Sequence, residues 1–215
     1  MLIISVQTGT PRTYGTEGSD DPLERPWTSA IAKQPIAGPV WAGRMGMAGD
    51  VQADRKHHGG PDQAVLGYSA DHYPRWREEL AKLEVGPGWF GENLTLSGVT
   101  ERSACIGDIV AVGAARLEVT QPRQPCGTLS RRFHRRDMVK LVHAAQRYGW
   151  YLRVLREGWV EAGMEVTLED RPYPQWPVWL ATEVLEHRSA RREEALRLAA
   201  CPALSTKWRN TLGAA

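Results

Sequence analysis

The sequence predicts a mainly β protein of the α+β class, in which helices flank the strands and a short helical segment follows them. Two observations lead to this prediction. Up to about residue 175, apolar runs are brief, alternate with a period of two and are bounded by Gly, Pro, Asn or Asp. Beyond that point, Leu and Ala recur with a period near 3.6 among charged residues, which is typical of helices packed on one face.

Six segments show the strand pattern most clearly, and their short, repeated spacing indicates a closed or nearly closed β structure. In "ARLEVTQ", Leu117 and Val119 should face the core. Arg116, Glu118 and Thr120 alternate with them and should face solvent. The predicted strands are "LIISVQT" (2–8), "AVLGYS" (64–69), "NLTLSG" (93–98), "DIVAVGAARLEVTQ" (108–121), "WYLRVLREG" (150–158) and "EVTLEDRPY" (165–173).

Two helices with an apolar stripe are predicted between the strands. In residues 69–83, Ser69 is placed to cap the N-terminus and Pro74 to lie in the first turn. In residues 135–149, Gly149 is placed to end the helix. The stripe residues are Tyr73, Trp76, Leu80 and Leu83 in the first helix and Met138, Leu141, Val142 and Ala145 in the second.

The tail that follows "RPYPQWPVW" is predicted to form two or three short helices. Ser189 and Ser205 are placed as N-caps, and Pro202 as a break between helices. A tail of roughly 35–40 residues is too short to bury a core alone, so it should pack on the β domain.

Composition restricts the class of protein. A chain of 215 residues with 42% hydrophobic and 24% charged residues can bury one substantial core, as in a soluble globular protein. A net charge of +2 argues against a polycation dedicated to nucleic acid. The N-terminal "MLIISVQTGTPRTYG" has no basic leader and no long apolar run, so neither a signal peptide nor a membrane span is expected. Three widely spaced cysteines without a CxxC pair fit a reducing compartment, so we expect a cytoplasmic location.

The stretch "QPRQPCGTLSRRFHRR" places Cys126 in a stiff and basic loop. Pro122 and Pro125 restrict the backbone on either side. The segment from Arg123 to Arg147 contains seven Arg or Lys residues and a single acid, Asp137. Positive charge near a thiol lowers its pKa and favours the thiolate, which attacks electrophiles or binds soft metals. The alternative is a buried structural thiol, which is the interpretation we give to Cys105 and Cys201.

A second stretch, "GDVQADRKHHGGPDQAVLGYS", suggests an anion site. Gly59 and Gly60 allow backbone amides to approach an anion, and Lys56 can neutralise it. The alternative is that Gly-Gly-Pro-Asp is a turn between two strands. His57 and His58 argue only weakly for zinc, because adjacent side chains of a strand point to opposite faces.

A third stretch, "GPGWFGENLTLSG", places Asn93 just before a strand. Its amide could bind a heterocycle or hold a loop of the site, and Asn after Gly is also ordinary in turns.

Together, "GDVQADRKHHGGPDQAV", "GPGWFGENLT", "QPRQPC" and "GWYLRVLREGWVEAG" resemble the MOSC family, which is named for the C-terminal domain of molybdenum cofactor sulfurase. More narrowly, the chain resembles the YiiM-like branch from Ile3 to the last helix. The resemblance implies a β-barrel-like domain with flanking helices over residues 1–175 and a small three-helix domain over residues 176–215.

The resemblance also implies an activity, the reduction of N-hydroxylated compounds, including N-hydroxylated purines, to amines. The implied cofactor is the molybdenum cofactor, a pterin dithiolene with a phosphate, and tungsten chemistry on the same pterin is not distinguished from it. The family is also associated with pyridoxal phosphate. By resemblance, Cys126 is the metal ligand, and His57 or His58 could deliver a proton. The cofactor-binding candidates are Lys56, Gly59, Gly60, Asn93, Arg123 and Arg131.

The implied partners are a small N-hydroxylated substrate and a separate electron-donating reductase, because three scattered cysteines cannot hold an iron–sulfur cluster. Neither a membrane nor a nucleic acid is expected as a partner, and the oligomeric state stays open, a homodimer included. One alternative function is a sulfur carrier or cofactor-handling protein in which Cys126 bears a persulfide. Gly127 and Thr128 depart from the family, which commonly has a bulky aromatic residue and a lysine there.

Overall fold

The computed structural model describes residues 1–54, 59–82 and 84–214, and it confirms the mainly β, α+β class. The strands of the described residues are β1 (Leu2–Thr8), β2 (Arg12–Tyr14), β3 (Trp27–Ser29), β4 (Gln34–Pro35), β5 (Val40–Gly43), β6 (Gly46–Met47), β7 (Val65–Ser69), β8 (Leu94–Ser97), β9 (Ile109–Val112), β10 (Ala115–Pro122), β11 (Trp150–Arg156), β12 (Gly158–Val160) and β13 (Thr167–Asp170). The helices are α1 (Tyr73–Leu80), α2 (Gly127–Arg132), α3 (Met138–Ala145), α4 (Val178–Glu186), α5 (Arg192–Ala199) and α6 (Thr206–Gly213).

The main sheet curls into a half-barrel with helices at its flanks. Its eight strands lie in the order β13-β9-β10-β11-β7-β8-β1-β4, and two smaller sheets have the orders β12-β5-β6 and β2-β3. Strands β7 and β8 pair in parallel, whereas their neighbours pair antiparallel. Strand β1 also bonds to the segment before β13, because the Ile3 amide donates to the Met164 carbonyl at 3.0 Å and the Gly163 amide to the Ile3 carbonyl at 2.8 Å.

All six predicted strand segments contain strands, and one predicted orientation is wrong. Leu117 and Val119 are buried as expected. Thr120 is also fully buried, because its hydroxyl donates to the Asp62 carbonyl at 2.6 Å and to the Tyr151 carbonyl at 3.2 Å. The register of β10 with β11 shifts at this point, which ends the strict alternation that the prediction assumed.

Both predicted helices between the strands form. The Ser69 hydroxyl accepts the Asp71 amide and caps a short 3-10 turn that leads into α1, and Pro74 lies in the first turn of α1. The stripe of α1 is buried as far as it is described, and Leu83 lies outside the described residues. The prediction that Gly149 ends the second helix is wrong. Helix α3 ends at Ala145, with Gln146 in the left-handed region at φ 53°.

Gly149 is needed for a different reason. It has φ 76°, and a Cβ at this position would lie 2.6 Å from the Gly67 carbonyl oxygen of β7. Close approach of two backbones, rather than the end of a helix, therefore requires glycine here.

The C-terminal helices pack on the sheet, as predicted. The Ser205 hydroxyl accepts the Trp208 amide and caps α6, which confirms that cap. Ser189 is not a cap, because α5 begins later and has Arg191 at its N-cap position. Buried residues of α4, α5 and α6 belong to the same hydrophobic cluster as the sheet interior. The division into two domains at residue 175 stays a prediction.

A second hydrophobic cluster holds α1, α2 and α3 together. Phe90 stacks on Tyr68 of β7 with ring centroids 4.5 Å apart, and it also contacts Phe133 just after α2. Leu129 of α2 is completely buried in the same cluster. This packing fixes the start of α2, where the loop that carries Cys126 ends. In the described parts of the chain, no helix is long and apolar enough to span a membrane.

Candidate functional site

An open cavity of about 280 Å³ lies on one face of β7 and β11, and residues of several loops also line it. Four of the residues predicted from the sequence line it, namely Gly59, Asn93, Arg123 and Cys126. These residues are up to 67 positions apart in the chain, counted as 126 minus 59. The fold thus brings the three suggestive stretches of the sequence to one place.

Cys126 follows the end of β10 and is held from both sides. Before it, the Arg123 amide donates to the Gly149 carbonyl at 3.0 Å and fixes the start of the loop. After it, the Leu129 amide donates to the Cys126 carbonyl at 3.0 Å, and Leu129 is buried. The side chain of Cys126 is half-buried and lies in the cavity wall. The loop therefore presents a thiol on a rigid base.

Among the described residues, Arg123 is the cationic residue of the predicted set that lines this cavity. Only 6% of the residue is exposed, and its Nη2 donates to the Phe90 carbonyl at 3.4 Å. Its Nη1 is buried without a hydrogen-bond partner among the described residues. Leaving a buried donor unsatisfied costs about 1–3 kcal/mol, so Arg123 is held at the cavity wall at a cost in stability.

The other arginines of the basic run contact groups elsewhere. Arg135 pairs with Asp137, Arg136 with Asp21, and Arg147 with Glu79. Arg131 is not part of the cavity wall, and its Nη1 donates to the Arg25 carbonyl at 3.4 Å. The sequence therefore overstated the positive charge beside the thiol, and the assignment of Arg131 to a cofactor stays a prediction.

A buried ion pair in the cavity wall was missed in the sequence. The Lys33 Nζ lies 2.5 Å from the Asp50 Oδ2, and the two side chains are only 10% and 1% exposed. The Gly9 amide donates to the other Asp50 oxygen at 2.8 Å. Burial lowers the pKa of Lys33, while the charge of Asp50 raises it. Asp50 is the second residue of the distinctive "GDVQADRKHH" stretch. Its partner Lys33 lies 17 residues earlier, where no motif indicated a functional residue.

Tyr151 is a second residue that the sequence did not reveal. It lies on β11 and lines the cavity. Burial raises the pKa of its phenol, the charge of Arg123 opposes this rise, and negative charge at Cys126 would add to it. Arg123 and Cys126 therefore lie close enough to Tyr151 to influence the ionisation of its phenol.

Asn93 reaches the cavity wall and also joins neighbouring strands. Its Nδ2 donates to the Gln7 carbonyl at 3.3 Å, and its Oδ1 accepts the Leu66 amide at 3.1 Å. These two bonds join strands β1 and β7, and the predicted role in holding a loop of the site stays a prediction. A direct contact of Asn93 with a cofactor stays a prediction.

Glu92 holds the loop before β8, which contains Gly88 and Phe90. Its buried carboxylate accepts the Gly88 amide at 2.7 Å, the Phe90 amide at 3.2 Å and the Thr95 hydroxyl at 2.9 Å, and it also accepts the Tyr73 hydroxyl. These bonds fix the backbone of a loop whose residues Phe90 and Gly91 form part of the cavity wall.

Gly59 and Gly60 differ in their positions: Gly59 lies at the candidate anion site, whereas Gly60 belongs to a turn. Gly59 lines the cavity at φ 89°, and a Cβ on it would lie 3.0 Å from the Gln52 Oε1. Gly60 is not in the wall and precedes the 3-10 turn Pro61–Gln63, so a turn is present as the alternative proposed. Lys56, His57 and His58 lie outside the described residues.

The remaining cysteines are core residues, as predicted. Cys105 and Cys201 are each 4% exposed. Burial raises the pKa of both thiols, which makes them poor nucleophiles. Among the described residues, no three His, Cys, Asp or Glu side chains cluster so that they could hold a metal. A metal at Cys126 would therefore need ligands from outside this part of the chain.

Comparison with known proteins identifies the family. The sequence profile of the MOSC domain matches residues 54–167. The chain is 37% identical over 207 residues to the uncharacterized protein YflK of Bacillus subtilis, covering 96% of this chain and 90% of that protein. It is 40% identical over 167 residues to a protein of Gibberella moniliformis named a reductase, covering 75% of this chain but 29% of that protein.

The fold agrees with these matches. The crystal structure of YiiM from Geobacillus stearothermophilus superposes with a TM-score of 0.82 at 32% sequence identity, and the match covers 99% of this chain and 97% of that one. The profile spans the cavity-lining Gly59, Asn93, Arg123 and Cys126. The chain belongs to the MOSC family and to its YiiM-like branch.

Proposed function

We propose that the protein is a molybdenum-cofactor-dependent oxidoreductase that reduces N-hydroxylated compounds to amines, with Cys126 as the ligand of the metal. The net reaction converts R–NH–OH, two electrons and two protons into R–NH₂ and water. A separate reductase supplies the electrons. The observation that carries the proposal is that Cys126 and Arg123 line one cavity; the Nη1 of this arginine is also buried without a partner among the described residues.

The described residues fit such a cofactor in two respects. A thiolate is a suitable ligand for a soft metal, and the rigid loop holds the Cys126 side chain in the wall. A phosphate is a doubly charged acceptor, and Arg123 offers a buried guanidinium donor to it. The absence of a three-residue protein metal site among the described residues agrees with a metal that arrives on an organic ligand.

Bound here, the cofactor would supply the two-electron redox chemistry. The chain's own residues would bind and orient it: Cys126 through Sγ and Arg123 through its guanidinium, beside the Lys33–Asp50 ion pair of the same wall. The fixed loop of Phe90 and Gly91 would shape another part of the wall. His57 and His58, outside the described residues, stay candidates for proton delivery to the leaving oxygen.

The relatives support the coarser part of this proposal. One relative is named a reductase, and the MOSC family is associated with the molybdenum cofactor. The matched region is 29% of that reductase, so the comparison supports an oxidoreductase role without specifying a substrate. The N-hydroxylated substrate class rests on the resemblance to the YiiM-like branch.

The test is to produce the protein in a host that makes the cofactor and to measure its metal content. We expect near-stoichiometric molybdenum, or tungsten if that metal is used, and reduction of an N-hydroxypurine with a chemical electron donor. Cys126→Ser is expected to lose both the metal and the activity. Cys105→Ser is the matched control, because it makes the same chemical change in the core and should keep both.

Two outcomes would overturn the proposal. Full activity in Cys126→Ser would remove the assignment of the metal ligand. Metal-free wild-type protein with cyanide-labile sulfur at Cys126 would instead support the sulfur-carrier alternative.

A further inference from the structure

A second cavity, of about 180 Å³, lies inside the half-barrel. The strands that border the candidate site separate it from this cavity. Tyr151 lines the first cavity, whereas its neighbours Trp150 and Leu152 line the second. Likewise, Asn93 lines the first and Leu94 the second. Successive side chains of a strand point to opposite faces, so one sheet carries two different cavities.

The inner part of this second cavity is apolar. Its buried lining is mostly aliphatic, with one indole and the buried carboxylate of Asp108. The apolar lining residues that are at most 2% exposed are Leu94, Val112, Leu117, Val119, Trp150 and Leu152. The unpartnered buried polar atoms of the described residues all lie on other side chains. A molecule in this space therefore has no hydrogen bond to complete, and an ionised group would lose its hydration without compensation.

Polar groups occur at the mouth, and they already satisfy one another. The Arg171 Nε and Nη2 donate to the two oxygens of Asp108 at 2.8 and 2.7 Å. The Arg171 Nη2 also donates to the Ser103 carbonyl at 2.7 Å, and Asp108 accepts the Cys105 amide at 2.9 Å. With its charge balanced by Asp108, Arg171 offers little attraction to an anionic ligand.

The size of the cavity indicates what it can hold. An apolar cavity of about 150 Å³ engineered in another protein stays dry and binds benzene. We propose that the interior of the half-barrel is a binding site for a small neutral apolar molecule, such as a single aromatic ring. This site is distinct from the candidate site and does not depend on the proposed function.

The test uses fluorobenzene as the probe, followed by ¹⁹F NMR and calorimetry on the full-length protein. We expect saturable binding with one molecule per chain, and binding of benzoate at least about tenfold weaker because its carboxylate would be desolvated. Leu117→Phe fills the cavity from within and should weaken fluorobenzene binding at least about tenfold, since it removes the volume the ring needs. Cys126→Ser should leave the binding unchanged, because Cys126 lines the other cavity.

Leu168→Trp provides a second variant that does not change the core. Leu168 lies at the mouth and is 39% exposed, so an indole there would cover the opening. Leu155→Trp is its matched control, because Leu155 is 37% exposed on the same sheet but does not line the cavity. Loss of binding in Leu168→Trp but not in Leu155→Trp supports the site. Absence of saturable binding to the wild type, or binding that neither Leu117→Phe nor Leu168→Trp weakens, would refute it.

Discussion

Arg123 shows at the scale of one residue how stability and function oppose each other in the candidate site. A buried guanidinium with an unsatisfied Nη1 lowers the stability of the folded chain. The same side chain brings a guanidinium to the wall of the cavity. If Arg123 serves only to bind a ligand, its replacement by an apolar residue should increase the stability of the folded chain and weaken ligand binding.

Arg123→Met tests this opposition. The variant is expected to raise the free energy of unfolding of the metal-free protein by about 1 kcal/mol, because it removes an unsatisfied buried donor. Its molybdenum content should fall by about tenfold, since a charge-assisted hydrogen bond is lost. Urea denaturation and elemental analysis measure the two effects. Arg136→Met, which makes the same exchange at an exposed position outside the cavity wall, should keep the metal. Full metal content in Arg123→Met would contradict the assignment.

Asn93 connects two elements of the fold, because its side-chain amide bonds to the backbone of β1 and of β7. Asn93→Ala is expected to lower the free energy of unfolding by about 2 kcal/mol, since it leaves the Gln7 carbonyl and the Leu66 amide without these bonds. Denaturant unfolding checks this. Asn210→Ala, at an exposed position of α6, should change the free energy of unfolding by less than about 0.5 kcal/mol. An equal effect of both substitutions would show that Asn93 does not hold the strands.

Elements with a long, regular pattern could be predicted from the sequence, and those without one could not. The alternation of Leu117 and Val119 predicted β10 because burial on one face is repeated over several residues. Strands such as β4 and β6 have two residues each, too few to show a period, and they form only because a neighbour pairs with them. In the same way, Lys33 and Asp50 became visible only when the fold brought them to one wall.

The candidate site was predictable to the extent that its residues lie in distinctive local sequence. The rigid loop of Cys126 could be recognised from its flanking prolines, and Gly59 and Arg123 lay in stretches rich in chemical signals. The ion-pair partners of the other arginines could not be predicted, because they are carboxylates such as Asp21 and Glu79 that are distant in sequence.

The whole molecule shares one main core between the sheet and the C-terminal helices. Trp208 of α6 is 2% exposed in that core. Trp208→Ala is therefore expected to cost about 3–5 kcal/mol, and to destabilise the sheet together with the helices. Coincident transitions by near-ultraviolet and far-ultraviolet circular dichroism would show one cooperative unit. Separate transitions, with only the helical one shifted, would show that residues 176–215 form an independent domain.

The bonds between β1 and the segment that holds Gly163 and Met164 have a consequence for the order of assembly on the ribosome. Strand β1 cannot complete its contacts until more than 150 residues have followed it, because the Ile3 amide donates to the Met164 carbonyl. Such distant pairings slow folding, since a long loop must close before they form. The loop that carries Cys126 is anchored at Gly149, so it too is fixed only late in translation. The thiol therefore leaves the ribosome before the cavity that surrounds it exists.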